Sequence, residues 1–263
     1  MIILPDIHGR TFWKETIEGL NSENNNQLKD TVVFLGDYLD PYPYESISVE
    51  DAMLNFEDIL AFKKMYPSDV VLLLGNHDFG YIYPSVNSCR RSRKYFEDIR
   101  NMFMHNINLF DIAYTYKTDN KKYLFTHAGV HKYWLDNFTE AIGIKYNLDN
   151  FPDIINNAFH NEHYEDEFVE FIGQYSYFRG YIDCSCGSPV WADVREWSFE
   201  LNNEKDNKEL GCFQIFGHTQ LESKPIVKDG FACIDVRRGF ELTNDDVLID
   251  KFNPEGENTY SLK

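Results

Sequence analysis

The stretch Val-Val-Phe-Leu-Gly-Asp-Tyr-Leu-Asp (32–40) carries four apolar residues, then a glycine, then two carboxylates three positions apart, Asp37 and Asp40. Four further apolar runs end in the same manner. Ile2–Leu4 leads into Asp6-Ile7-His8-Gly9, and Val70–Leu74 into Gly75-Asn76-His77-Asp78. Tyr123–Thr126 leads into His127, and Phe213–Phe216 into Gly217-His218. Four of the eight histidines lie at these exits. The set Asp6, His8, Asp37, Asn76, His127 and His218 mixes imidazole with carboxylate, which suits Mn, Fe, Zn or Co better than Ca. Six ligands exceed what one tetrahedral ion takes. They match two divalent ions about 3.5–4 Å apart that share one carboxylate. Asp37 is the natural bridge, because its strand lies in sequence between those carrying Asp6/His8 and Asn76. Asp40, three residues on, is placed to orient a histidine. His77, next to Asn76, is the candidate, with the role of a general acid toward a leaving oxygen.

These residues need elements that bring them together. The runs at 2–4, 31–35 and 70–74 are nearly continuous in apolar character, as in strands covered on both faces. Between them, Trp13, Ile17 and Leu20 fall at helical spacing, as do Val49, Met53, Phe56 and Leu60. Ser48-Val-Glu-Asp51 reads as a capping box that opens the second helix, and Pro67 closes it. Residues 1–75 therefore read β-α-β-α-β, the start of an α/β fold with a parallel sheet. In such sheets ligands gather outside the carboxyl ends of the strands, where all five exits would meet. Further strands are expected at 231–236 and 247–252. Residues 131–190 read as a mainly helical insertion, either a cap on the site or packing bulk, with the aromatic stripe of 165–178 on a helix. The polar stretches 21–30 and 202–210 read as surface loops.

The charge balance narrows the partners. The chain has 263 residues and 43 acidic against 25 basic side chains, a net charge of −18. So acidic a surface repels nucleic acid and anionic membranes, and no apolar run is long enough to span a bilayer. An anionic substrate would then need a local positive centre, which a metal pair supplies. Five cysteines and a start without a secretory signal lead to the expectation of a cytoplasmic protein with reduced thiols. Cys184-Ser-Cys186 is a weak metal pattern and reads as loop or core thiols. His105, His131, His160 and His163 read as ordinary hydrogen-bonded residues.

Asp-Ile-His (6–8), Gly-Asp-Tyr-Leu-Asp (36–40), Gly-Asn-His-Asp (75–78), Thr-His-Ala-Gly (126–129) and Gly-His-Thr (217–219), in this order, resemble the calcineurin-like metallophosphoesterases. Within that superfamily the likeness is to the phosphoprotein phosphatase branch, which includes the lambda phosphatase and bacterial diadenosine tetraphosphatase types. The resemblance implies a four-layer αββα sandwich, two mixed sheets flanked by helices, formed as a single domain over 1–263. It implies a first metal held by Asp6, His8 and Asp37, and a second held by Asp37, Asn76, His127 and His218. It matches Asp40 and His77 to the family's acid-orienting pair, and implies in-line attack on phosphorus by a hydroxide between the metals.

Three departures stand out. The family's D-R-G is here Asp40-Pro41-Tyr42, so the usual phosphate arginine is missing. G-N-H-E is here Gly-Asn-His-Asp, and Gln220 stands where many phosphodiesterases carry a second histidine. Arg10 and Arg195 are the candidates for gripping phosphate, with Arg237 and Arg238 behind them. Pro41-Tyr42-Pro43-Tyr44 reads as a rigid turn or as an aromatic wall of the site. The function expected is manganese-dependent hydrolysis of a phosphomonoester on a phosphorylated protein or small molecule. The first alternative is hydrolysis of nucleotide phosphoanhydrides or phosphodiesters. The second is a metal-holding scaffold that has lost catalysis.

Overall fold

A computed structural model describes residues 1–18, 28–86, 90–180, 186–197, 210–250 and 258–262. The chain divides into two compact units, Met1–Phe110 with Arg237–Ser261, and Asp111–Val236 with Leu262–Lys263.

The first unit is built as its apolar runs dictate. Strands β1 (Ile2–Leu4), β2 (Val32–Phe34) and β3 (Val70–Leu73) pair in parallel, with Ile2 opposite Val32 and Val32 opposite Val70. Helices α1 (Phe12–Thr16) and α2 (Val49–Met65) supply the crossovers. Helix α1 is shorter than the spacing through Leu20 implies, and Leu20 lies outside the described residues. Only the first half of the capping box forms: Ser48 Oγ accepts from the Asp51 amide at 3.0 Å. Its hydroxyl donates to Asp51 Oδ2 at 2.7 Å, so the Asp51 carboxylate closes on the hydroxyl rather than on the Ser48 amide. Ser48→Ala is expected to destabilise the protein by about 1 kcal/mol; a melting temperature equal to wild type would contradict this role.

The same sheet continues through the strand expected at 247–252 and two that the sequence reading did not single out. A meander of β10 (Phe240–Leu242), β11 (Val247–Asp250) and β12 (Asn258–Ser261) joins β1 through antiparallel pairing with β10. Strand β4 (Phe110–Asp111) lies on the other edge, giving the order β12-β11-β10-β1-β2-β3-β4. Helices α3 (Asn76–Ile82) and α4 (Phe96–His105) follow β3 and contact each other. A buried aromatic chain fills the core: Tyr38 against Phe56 at 5.0 Å, Phe56 against Phe103 at 4.8 Å, and Phe103 against Phe110 at 5.6 Å between ring centroids. Tyr38 donates its hydroxyl to the Leu73 carbonyl at 2.7 Å, so the buried phenol is satisfied where β3 ends.

The second unit holds a five-stranded mixed sheet in the order β5-β6-β7-β9-β8. Its strands are β5 (Tyr114–Lys117), β6 (Lys122–Phe125), β7 (Phe213–Phe216), β8 (Ile226–Lys228) and β9 (Phe231–Cys233). Strands β6, β7 and β9 run parallel, and β5 and β8 close the edges antiparallel. Residues 131–190 carry α5 (Lys132–Ala141), α6 (Phe151–His160) and α7 (Glu165–Ile172). Helix α7 stops at Gly173, short of the aromatic run through Phe178, and Ser176 caps a separate 3₁₀ turn at Tyr177–Arg179. Phe168 and Ile172 are buried, the Phe168 ring lies 6.3 Å from that of Phe138 in α5, and Trp134 of α5 donates its indole N–H to the Phe171 carbonyl at 3.0 Å. Of the Cys-Ser-Cys stretch, Cys186 is buried and Cys184 lies outside the described residues.

Candidate active site

In the first unit, the segments that leave β1, β2 and β3 are stitched together by backbone and side-chain hydrogen bonds. The amides of His8 and Gly9 donate to the carbonyls of Asp37 and Tyr38 at 2.7 and 2.9 Å. The Asp78 carboxylate is fully buried at the first turn of α3. Its Oδ2 accepts from the amides of Gly75 and Asp37, both at 2.8 Å, and its Oδ1 from the amide of Tyr38 at 3.1 Å. The aspartate that replaces the family's glutamate thus clamps two loops with three amides.

The clamp leaves no room for a side chain at position 75. A Cβ on Gly75 would collide with Asp37 Oδ1 and lie 2.7 Å from the Asp37 nitrogen. Gly75→Ala is expected to destabilise the protein by about 1–3 kcal/mol. Thermal denaturation checks this, and an unchanged melting temperature would refute it.

Several candidate residues also have left-handed backbone. Positive φ among described non-glycine residues is found at His8 (46°), Asp37 (54°), Asp40 (60°) and His218 (63°), and at four others including Arg90 (61°). Left-handed backbone at such residues is unfavourable, and it persists where surrounding structure enforces it, often at functional sites.

His8, Asp6 and Asp37 are each about 2% exposed. His8 Nε2 lies 3.5 Å from Asp37 Oδ2 and 4.0 Å from Asp6 Oδ2. Its Nδ1 is 2.8 Å from the Leu39 carbonyl, which can only accept, so Nδ1 carries the proton. Burial pushes the His8 pKa well below its ordinary value, against the pull of Asp37, which keeps the ring neutral. Its Nε2 lone pair then faces two carboxylates. That arrangement is repulsive unless a cation stands between them, so these residues fit a divalent metal. His8, Asp37 and His77 form a group of buried donors whose ligand atoms all lie within 4.8 Å of one another. Asn76 is buried at the first position of α3, and the amide of His77 donates to Asp37 Oδ1 at 2.9 Å.

His77 and Asp40 meet. His77 Nδ1 is 2.7 Å from Asp40 Oδ2, and both side chains are at most 5% exposed. Tyr81 donates its hydroxyl to the other oxygen, Asp40 Oδ1, at 2.5 Å, and accepts from the amide of Ser92 at 2.8 Å. Burial raises the Tyr81 pKa, so the phenol stays a donor. The carboxylate is thereby fixed from both sides, and Nδ1 of His77 is committed to it, which leaves Nε2 for other partners. Tyr81 was not among the sequence candidates. Its place four residues after His77, one helical turn on, is the signal that could have found it.

In the second unit, His127 follows β6 and His218 follows β7, as the strand exits require. His127 Nε2 and His218 Nδ1 lie 3.1 Å apart, and both rings are buried. Two imidazole nitrogens at that distance either share one proton or share a cation. His131 forms a buried pair with Glu196, Nε2 to Oε2 2.7 Å, and its ring packs tilted on Trp197 at 4.0 Å between centroids.

Arg10 is paired through Nε and a terminal nitrogen with Glu45, at 3.0 and 2.9 Å. Arg195 makes a two-point contact with Asp193 at 2.8 and 3.0 Å, and Arg179 reaches the same carboxylate at 2.9 Å. Arg237 lies 3.9 Å from Glu45 and donates to the Tyr44 hydroxyl at 3.1 Å. Arg238 pairs with buried Asp250 at 2.7 Å. An arginine that the sequence reading passed over, Arg90, lies instead beside His77, with a terminal nitrogen 3.4 Å from Nε2. Its signal was the run Arg-Arg-Ser-Arg-Lys (90–94), four cations in five residues of a strongly acidic chain.

The model of the calcineurin-like phosphoesterase family matches residues 1–221. The chain belongs to that family. This phosphoesterase is similar in fold to a cold-active protein tyrosine phosphatase, with a TM-score of 0.58 at 14% identity, over 98% of this chain and 77% of that one. It is also similar to a protein serine/threonine phosphatase from Saccharomyces cerevisiae that resembles human phosphatase PP5, with a TM-score of 0.52 at 15% identity, over 99% and 79% of the two chains. Comparison with curated proteins finds no match. The two mixed α/β sheets agree with the fold class that the motifs imply. The protein is a metal-dependent phosphoesterase, with buried His and Asp groups able to hold divalent metal.

Proposed function

We propose that this phosphoesterase is a dinuclear phosphatase acting on phosphomonoesters of a protein or a small molecule. The observation that carries the reading is the His77–Asp40–Tyr81 chain beside the His8, Asp6 and Asp37 group. An acid that is oriented from behind and set next to metal-type donors serves the departure of an alkoxide or phenoxide.

Asp6, His8 and Asp37 would hold one cation. Asp37, Asn76, His127 and His218 would hold the other, with manganese the metal we favour from the mixed oxygen and nitrogen donors. When bound, the cations supply charge that neutralises the phosphoryl oxygens and lower the pKa of water. The chain's own residues do the rest. Asp40 accepts from His77 Nδ1 and stabilises the imidazolium, so the Nε2 proton is aimed at the leaving oxygen. Tyr81 keeps the Asp40 carboxylate from turning away. Among the described residues no helix is long and apolar enough to cross a membrane. A cytosolic site of action is our reading of the composition.

A panel of p-nitrophenyl phosphate, its bis ester, phosphopeptides and dinucleoside polyphosphates, each with Mn²⁺, tests the reading. The monoester or the phosphopeptides are expected to turn over fastest. Faster turnover of the bis ester or of the polyphosphates would transfer the assignment to a phosphodiesterase or an anhydride hydrolase. Metal binding without turnover of any of them would mark a scaffold.

A further inference from the structure

We propose that Arg90, carried on the ring of Tyr42, is the substrate-binding arginine of this enzyme and grips the phosphoryl oxygens beside His77. The inference rests on the phosphatase reading above and adds to it a residue outside the five motifs.

The position after Asp40, where related enzymes carry a phosphate arginine, is Pro41. The next residue, Tyr42, lends its ring to a guanidinium from elsewhere. The Arg90 guanidinium carbon is 3.8 Å from the Tyr42 centroid, well inside the range for a cation–π contact. Tyr42 in turn is held edge-on by His8 at 4.9 Å, which fixes the platform to the candidate metal ligands. The stretch does turn, as a 3₁₀ turn at Pro43–Glu45, and the face of Tyr42 beside it is covered by a cation rather than open.

Stacking engages the flat face of a guanidinium and leaves its in-plane N–H fork for other acceptors. The fork of Arg90 is nearly uncommitted. Nε and one terminal nitrogen each reach the Asp40 carbonyl at 3.4 Å, a long contact, and that terminal nitrogen is also 3.4 Å from His77 Nε2. Its electrostatic situation sets it apart from the other arginines near candidate positions. Arg10 and Arg237 are drawn to Glu45, Arg179 and Arg195 to Asp193, and Arg238 to Asp250. Among the described residues Arg90 has no carboxylate partner. A full positive charge is thus held, without its counter-ion, at the atom from which a proton would leave for substrate. Planar two-point recognition of a phosphoryl group is what such a fork does best. The left-handed backbone at Arg90 (φ 61°) accords with a side chain kept in place at a cost in local conformation.

The test uses the Mn²⁺-loaded full chain and two readouts, inorganic phosphate binding by calorimetry and hydrolysis of p-nitrophenyl phosphate. Arg90→Ala is expected to weaken phosphate binding and to raise KM by about ten- to a hundredfold, with metal content unchanged. Arg90→Lys should recover part of the loss, and Tyr42→Leu should lie between Ala and wild type. The singly charged bis ester should suffer less than the dianionic monoester. Arg93→Ala, an exposed cation in the same basic run, controls for charge alone and should match wild type. Equal phosphate affinity and KM for Arg90→Ala and wild type overturns the inference while leaving the phosphatase reading in place. An equal loss in Arg93→Ala also overturns it. If wild type hydrolyses no ester but binds phosphate through Arg90, the phosphatase reading falls and the anion site stands. If wild type binds no phosphate, the site falls as well.

Discussion

Asparagine at position 37 is expected to lower kcat/KM on the best phosphomonoester by about three orders of magnitude. Asp37 is buried in the middle of the stitched loops. Its Oδ1 is held by the His77 amide at 2.9 Å, and its Oδ2 faces His8 Nε2 at 3.5 Å. An amide of the same size keeps one oxygen acceptor and removes the charge that would draw two cations to one point. Losing one cation withdraws several kcal/mol of charge stabilisation from the transition state, and each 1.36 kcal/mol is tenfold in rate. Steady-state kinetics with saturating Mn²⁺ gives the number, and elemental analysis of the same sample should show metal lost in parallel. A variant that keeps wild-type activity would show that Asp37 bridges nothing.

Replacement of His77 by asparagine should cost less on activated esters than on natural ones. A positioned general acid contributes about 10²–10⁴ to rate. That contribution matters for an alkyl or tyrosyl leaving group and little for p-nitrophenolate, which departs unaided. His77→Asn is therefore expected to lower kcat on phenyl phosphate by at least about a hundredfold and to spare p-nitrophenyl phosphate in comparison. Its metal content should hold, because the proposed ligands are other residues. Equal losses on the two substrates would remove His77 from proton transfer and make it a positioning residue.

Much of this site can be read from the chain because it obeys a simple rule of α/β sheets. Where apolar runs stop at the carboxyl end of a parallel strand, the next polar residues share one rim. Asp6, His8, Asp37 and Asn76 all leave parallel strands of the first sheet, and His127 and His218 leave parallel strands of the second. Each run is apolar enough to be recognised without knowledge of its partner. Some of the other strands were harder to read. Phe240–Leu242 is three residues long with Glu241 in its middle, and Tyr114–Lys117 is half-exposed, so neither carries a pattern apart from its neighbour strand. Tyr81 and Arg90 were missed for a related reason. Their meaning comes from contacts with Asp40 and Tyr42, about 40 to 50 positions earlier, that no local spacing encodes. Arg10 shows the converse. Its adjacency to the first motif suggested phosphate, whereas the fold commits its fork to Glu45.

The claim on which the account depends is that one carboxylate, Asp37, joins two cations. Electron paramagnetic resonance of the chain titrated with Mn²⁺ tests it directly, because two Mn²⁺ ions on a shared ligand couple and lose the six-line signal of an isolated ion. The account predicts a coupled spectrum that saturates at two ions per chain and reverts to isolated six-line signals in Asp37→Asn. Uncoupled six-line spectra from wild type at full loading would contradict it.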